Sequence, residues 1–227
     1  MGLASDTQSN RVFDALRSEI LACHLAPATK INITSICSRF GVSLGAAREA
    51  LSRLIPEGLV RNEPQKGFSV SPVSLRELTE LTAARNELET LCLRMAIARG
   101  DVEWETEAVA ALHRLSRISP GLPDAPGALN PDWSAAHARF HRALVAACDN
   151  GVLLGLRDTL HNESERYRHW CLPLTLSGAA RNVGAEHDAI LQACLARDND
   201  AACTLTRAHF QRTADILARS PMIAEQE

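Results

Sequence analysis

Four histidines and one arginine are the residues whose types and spacing could do chemistry. His137 and His141 stand four apart in the run Ala136-His137-Ala138-Arg139-Phe140-His141. On a helix that spacing puts both imidazoles on one face. The same face continues through Leu144 and Cys148, so it points inward. His187 is continuous with Ile190, Leu191 and Cys194, and His209 with Leu205 and Ile216, so both also lie on inward stripes. Taken singly, each is more often an ordinary core histidine. Four inward histidines on three helices of one small bundle form a candidate metal site, and imidazole nitrogen suits zinc, nickel or copper better than magnesium or calcium.

Arg85 is flanked at helical spacing by Leu78, Leu81, Leu88 and Cys92, so it too lies on a buried stripe. A buried guanidinium requires an anionic partner. That partner is either Glu89 or another bundle carboxylate, or else an acidic ligand. Glu186, beside His187, admits a general base next to a metal-activated water, as in a hydrolase. No separate acid–base constellation accompanies it, and a hydrolase has no need of residues 10–72, so the chain is expected not to be an enzyme.

The elements that must carry these residues are helical. From Ser74 onward the pattern predicts helices at 75–99, 103–117, 131–149, 151–171, 178–197 and 199–219, with no strand signals between them. Breaks fall at Gly100-Asp101, Ser119 to Pro131, Asn150-Gly151, Pro173 to Gly178 and Asp198-Asn199. Short links of this kind suit an antiparallel six-helix bundle. On the fourth of these helices, Tyr167 falls on an inner stripe with Leu153, Leu156 and Leu160, and Arg166 on its flank.

The N-terminal third reads differently. A helix is expected from about Asp6 to Cys23, a second from Thr34 to Phe40 with Thr34 as N-cap, and a third from Leu44 to Ile55. Gly41-Val42-Ser43 is the tight turn between the last two, with Ser43 capping the third helix. Two β-like runs follow, Leu59 to Asn62 and Gly67 to Ser71. Helix, helix, tight turn, helix and hairpin is the plan of a winged helix-turn-helix, whose third helix projects its N-terminal side chains into the major groove. Gly45, Ala46 and Ala47 would let that helix approach closely. Arg48 can fork onto a guanine edge or clamp a phosphate, and Arg53, Lys66 and the backbone at Gly67 can reach phosphates or the minor groove. For Arg48, Arg53 and Lys66 the bland alternative is a solvated surface cation.

Composition is consistent with this division. The 227 residues suffice for two modest domains, taken as 1–72 and 75–219. Residues 1–75 hold eight Lys/Arg against six Asp/Glu, and the rest sixteen against twenty-one, so the positive excess lies where nucleic acid would be met. No run reaches about 18 apolar residues, and the first ten residues lack an apolar signal core, so neither a membrane span nor secretion is expected. The seven cysteines form no C-x-x-C pair and are read as reduced, mostly buried thiols of a cytoplasmic protein.

Specific runs carry a resemblance. Phe40-Gly41-Val42-Ser43-Leu44-Gly45-Ala46-Ala47-Arg48-Glu49-Ala50-Leu51-Ser52-Arg53-Leu54, then Glu57-Gly58-Leu59-Val60 and Gly67-Phe68-Ser69-Val70, resemble the GntR family of bacterial repressors over residues 10–72. Phe140-His141-Arg142-Ala143-Leu144, Glu186-His187-Asp188-Ala189-Ile190-Leu191 and Arg207-Ala208-His209-Phe210 are similar to the FCD ligand-sensing domain of its FadR subfamily, in the shorter, VanR-like group. The resemblance implies a transcriptional repressor that acts as a homodimer on a short palindromic operator, with Arg48 as a main DNA contact. In metal-binding members an acidic residue, a histidine four later and two further histidines hold the ion, here positions 137, 141, 187 and 209. It also implies a small organic-acid effector whose carboxylate joins a zinc or nickel ion while Arg85 clamps another oxygen. Arg166, Tyr167 and Asn162 would line the same cavity. The other reading is a regulator of the same type with a structural metal or none, binding an apolar acyl ligand.

Three departures carry consequences. Leu44 stands where the family usually has arginine, so one DNA contact is missing. Cys23 and Ala28 replace usual glycines, and alanine resists positive φ, so the turn after Pro27 is expected to differ. His137 replaces the acid, so four neutral ligands would leave the full +2 on the ion and an anionic effector would be held more strongly.

Overall fold

Val12, Leu16 and Ile20 recur every four residues and are almost wholly buried on α1 (Gln8–Leu21). They face Ala47, Ala50, Leu51 and Leu54, the buried stripe of α3 (Leu44–Leu54), and α1 packs on α3. Between them in the chain comes α2 (Ile33–Phe40). Its N-cap is Asn32 rather than the expected Thr34: Asn32 keeps extended backbone and its side chain accepts from the Ser35 amide at 3.2 Å. Asparagine is at least as good a cap as threonine, so the helix starts earlier. Gly41 closes α2 at φ 64, and Ser43 Oγ accepts from the Ala46 amide at 3.2 Å to open α3. Strands β1 (Val60–Glu63) and β2 (Gly67–Val70) pair antiparallel from Val60↔Val70 to Glu63↔Gly67. The segment before α2 adds a backbone bridge to this hairpin, with the Ile31 amide donating to Phe68 O at 2.8 Å.

The turn after Pro27 corrects one expectation. Ala28 adopts φ 62, the left-handed conformation a glycine takes without penalty. The turn keeps that geometry, and the alanine carries the strain.

The computed structural model describes residues 7–21, 24–177 and 181–219, and the side chains of 125–128, 166 and 169–177 lie outside that description. By packing, the chain divides into two units: Met1–Val73 with Glu165–Trp170, and Ser74–Ser164 with Cys171–Glu227. The second contains α4 (Leu75–Arg99), α5 (Val102–Ser116), α6 (Pro131–Val145), α8 (Val183–Leu195) and α9 (Asn199–Ala218). A 3-10 turn at Ala146–Cys148 follows α6, and α7 (Gly151–Ser177) carries the segment that groups with the first unit. The break expected at 173–178 begins later, because a proline removes one helical hydrogen bond without having to end a long helix. Helix α8 starts at Val183, capped by Asn182, and residues 178–180 of the predicted helix lie outside the described residues.

One feature corrects the reading of helices alone. Within the Ser119 to Pro131 break, β3 (Gly121–Leu122) and β4 (Ala125–Leu129) form a small antiparallel ribbon. A two-residue strand has no alternation to detect in sequence.

The core of the second unit joins Cys92, Leu93, Ala96 and Ile97 of α4 to Trp104, Ala108, Ala111 and Leu115 of α5. Phe140 and Leu144 of α6, Ile190, Leu191 and Cys194 of α8 and Cys203 of α9 complete it. Cys92, Cys148, Cys194 and Cys203 are buried free thiols, and burial pushes the Cys92 and Cys194 thiols up to about 12, so they serve as core residues. Asp149 and Arg197 take the left-handed conformation at the two helix junctions, one residue before the predicted breaks. Arg197 is held there by a bond from its guanidinium to Ile97 O at 2.8 Å and by an ion pair with Glu105.

Candidate metal centre and nucleic-acid interface

Three helices deliver the four histidines. Asn130 caps α6 with Pro131 in its first turn, which sets the register of His137 and His141. Asn182 caps α8 ahead of His187, and Asp198 caps α9 ahead of His209. All four rings are 1–3% exposed. Their candidate ligand atoms lie within 4.8 Å of one another, and the Nε2 atoms of His137 and His141 are 3.2 Å apart. A tetrahedral zinc site with bonds of about 2.1 Å sets its donors about 3.4 Å apart, and an octahedral ion sets opposite donors about 4.2 Å apart. The His137–His141 pair is already near tetrahedral spacing, the widest separation would have to shorten to close on one ion, and four imidazoles have the donor chemistry of a transition-metal site.

The surroundings orient the rings. His209 donates from Nδ1 to Glu186 Oε2 at 2.8 Å, which turns its Nε2 toward the other histidines. Glu186 is itself held by Arg181 Nε at 3.0 Å, Arg181 Nη2 at 2.7 Å and Arg212 Nη1 at 3.0 Å. Burial favours the protonated Glu186 carboxyl, but the bonds from His209 and Arg181 outweigh it and hold the group well below the usual carboxylate range. Glu186 therefore sits behind His209 as an orienting anion, and the general-base role considered from sequence does not fit that position. Trp133 stacks on His137 at 4.7 Å between ring centroids, and Phe140 packs on His141 and His187.

Arg85 is buried, with its guanidinium carbon 4.2 Å from the Phe210 ring centroid. Phe210 in turn packs on His141 and His209, so Arg85 and two of the histidines share this ring as a neighbour. Glu89, one of the anions the sequence offered to Arg85, accepts two hydrogen bonds from Arg157, at 2.9 and 3.0 Å. Arg157 and Glu89 are both buried, and neither this pair nor Arg181 was singled out in the sequence.

The remaining effector-site candidates all lie on α7. Asn162 is exposed, and His161 before it takes the buried position. Tyr167 is buried but belongs to the segment that groups with the first unit, and the side chain of Arg166 lies outside the described residues. The inner stripe predicted for α7 holds at Tyr167, which is buried, and at Leu153, which packs on the core, but is corrected at Leu156, which is exposed, while Arg157, His161, Ser164 and Glu165 are buried. Burial of the Arg157–Glu89 pair replaces the apolar contact that a hydrophobic pattern would show.

In the first unit, Ser43, Leu44, Gly45 and Arg48 are exposed at the N-terminal end of α3. The Ser43 hydroxyl accepts the capping bond and keeps its own O–H free to donate. Arg53 is turned toward α1, bonded to Asn10 Oδ1 at 2.7 Å and stacked over Phe13 at 4.2 Å. Lys66 lies at the hairpin tip, 79% exposed and paired with Glu63 at 2.8 Å. Gly67 beside it holds φ 81, a conformation that disfavours any side chain. Among the described residues, no helix is long and apolar enough to cross a membrane.

Comparison with known proteins agrees with both halves. Residues 8–70 match the model of bacterial regulatory proteins of the gntR family, and residues 80–212 match the FCD domain. The HTH-type transcriptional regulator BphR of Paraburkholderia xenovorans is 36% identical over 90% of this chain and 83% of its own length. The HTH-type transcriptional repressor GlaR of Escherichia coli is 33% identical over 90% of this chain and 93% of its own. The structure of Escherichia coli McbR/YncC superposes with a TM-score of 0.70 at 19% identity, covering 94% of this chain and 98% of that one, which supports the fold. The chain thus belongs to the gntR family of bacterial regulatory proteins, as a transcriptional regulator with a winged helix-turn-helix and an FCD domain.

Proposed function

We propose that the chain is a repressor whose operator affinity is set by a small organic acid bound beside a divalent transition metal in the helical unit. The observation that carries this reading is the convergence of four buried imidazoles from three helices. His137, His141, His187 and His209 would hold the ion, zinc or nickel. The ion would supply Lewis acidity toward a carboxylate oxygen. This chain's residues do the rest. Glu186 and Arg181 fix the His209 ring, and Arg85 clamps a second oxygen of the effector. Four neutral ligands leave the ion's charge undiminished, which favours an anion over an apolar acyl chain. The similarity to a transcriptional repressor supports the sign of regulation.

The protein would act as a homodimer. Two recognition helices on one operator must keep a fixed spacing, so a small change of placement in the helical units weakens both half-sites together. Arg48 would carry a main DNA contact, with Ser43, Gly45, Lys66 and Gly67 toward the backbone.

Metal analysis and thermal shift test the reading. Purified protein should hold stoichiometric metal, and His141→Ala or His187→Ala should lose it. A screen of organic acids should raise Tm in the presence of zinc or nickel, because a ligand of the native state stabilises it by mass action. Absence of metal, together with an effector response unchanged in both variants, would sink the metal-sensor reading. Arg48→Ala should weaken operator binding at least tenfold with the fold intact.

A further inference from the structure

Leu44 is 52% exposed at the first position of α3. It contributes nothing to the core of the first unit, because the buried residues of the helix are Ala47, Ala50, Leu51 and Leu54. Leu44 and Arg48 are one helical turn apart and share a face. On the other side of Leu44 stands Ser43, whose hydroxyl marks the N-terminal end of the helix. Gly45 adds to the argument. A Cβ there would meet only Ser43 Oγ, at 3.8 Å, so packing within the protein does not demand glycine at this position. The end of α3 therefore combines a bare backbone position, a cation and a projecting apolar side chain.

We propose that Leu44 is a specificity-determining residue that reads the 5-methyl group of a thymine in the major groove. The inference rests on the reading of α3 as the recognition helix. Thymine alone of the four bases offers an apolar group there, whereas guanine, adenine and cytosine offer acceptors and donors. A leucine seated over one of those polar edges would strip it of water without replacing the hydrogen bond, which is costly. Seated over a thymine methyl, the same side chain buries apolar surface on both partners. The preference is thus enforced twice, by attraction to thymine and by rejection of the other three bases. Arg48, on the same face, remains available to a guanine or a phosphate beside it.

The test uses the full-length protein and the duplex it selects from a random library. Each thymine in that duplex is replaced in turn by uracil, which removes only the methyl group. Wild-type protein should lose about fourfold in affinity at one position, the value of one buried methyl group. In Leu44→Ala that uracil replacement should have no effect, whereas Arg48→Ala should remain sensitive to it. Leu44→Arg should select guanine at the same position. An operator insensitive to every uracil replacement, or a methyl effect that persists in Leu44→Ala, overturns the proposal. Selection of the same thymine by Leu44→Arg also overturns it. If no duplex is selected at all, the repressor reading itself fails and this inference falls with it.

Discussion

His209 donates from Nδ1 to Glu186 Oε2 at 2.8 Å, and two arginines hold that carboxylate from behind. The bond fixes which ring nitrogen faces His137, His141 and His187. Replacing the carboxylate by an amide leaves a weaker acceptor, which can also turn a donor toward His209. Glu186→Gln should therefore weaken metal affinity by roughly 10- to 100-fold, the usual effect of losing such a partner. Competition with a chromophoric chelator measures it. Affinity equal to wild type would show that the rings are oriented without Glu186.

The buried pair between α4 and α7 makes a separate prediction. Arg157 and Glu89 have side chains only 2% and 4% exposed, joined by two hydrogen bonds. Arg157→Met leaves a buried carboxylate without its cation and should cost about 3–5 kcal/mol of stability. The double variant Glu89→Met with Arg157→Met should recover much of that loss, because neither charge then remains to be compensated. Urea denaturation of the three proteins decides it. A double variant as unstable as the single one would mean that the pair contributes more than mutual neutralisation.

The two sites were legible in sequence to different depths, for physical reasons. Four histidines on three amphipathic stripes could be read as one cluster because helical periodicity fixes which face is inward. The stripe on α7 could be read only in part: Tyr167 and Leu153 turn inward, but Arg157 is buried while Leu156 is exposed, and hydrophobic patterning points the wrong way there. Arg157 and Arg181 were missed because their partners, Glu89 and Glu186, are distant or on the next element, and sequence spacing carries no such signal. The cap of α2 was ambiguous because Asn32 and Thr34 are both competent caps. Ala28 departs from its propensity because propensity describes the cost of a conformation, and the surrounding turn can impose it regardless.

Ala28 also yields a stability prediction. A non-glycine residue at φ 62 costs about 1–2 kcal/mol. Glycine at the same place relieves that strain but loses about 0.4–1 kcal/mol through the freedom it gives the unfolded chain. Ala28→Gly should therefore stabilise the protein by about 0.5–1 kcal/mol, with operator binding unchanged. Equilibrium unfolding followed by a probe in the first unit measures this. A loss of stability would show that the alanine methyl makes packing contacts worth more than the backbone strain.

Arg85 gives the prediction that separates sensing from DNA binding. Its guanidinium lies over Phe210, whose ring touches His141 and His209, so it can approach an anion held at the cluster. The first unit contains none of these residues. Arg85→Ala should bind operator like wild type in the absence of effector, while effector affinity falls roughly 10- to 100-fold, as expected for a charge-assisted bond. Arg85→Lys should recover only part of it, because an ammonium is a point charge without the planar fork that matches a carboxylate. Titration of the organic acid against both variants, read by thermal shift and by the change in operator affinity, provides the comparison. Wild-type sensitivity in Arg85→Ala would rule out the clamp. Full recovery in Arg85→Lys would instead assign Arg85 a purely electrostatic role.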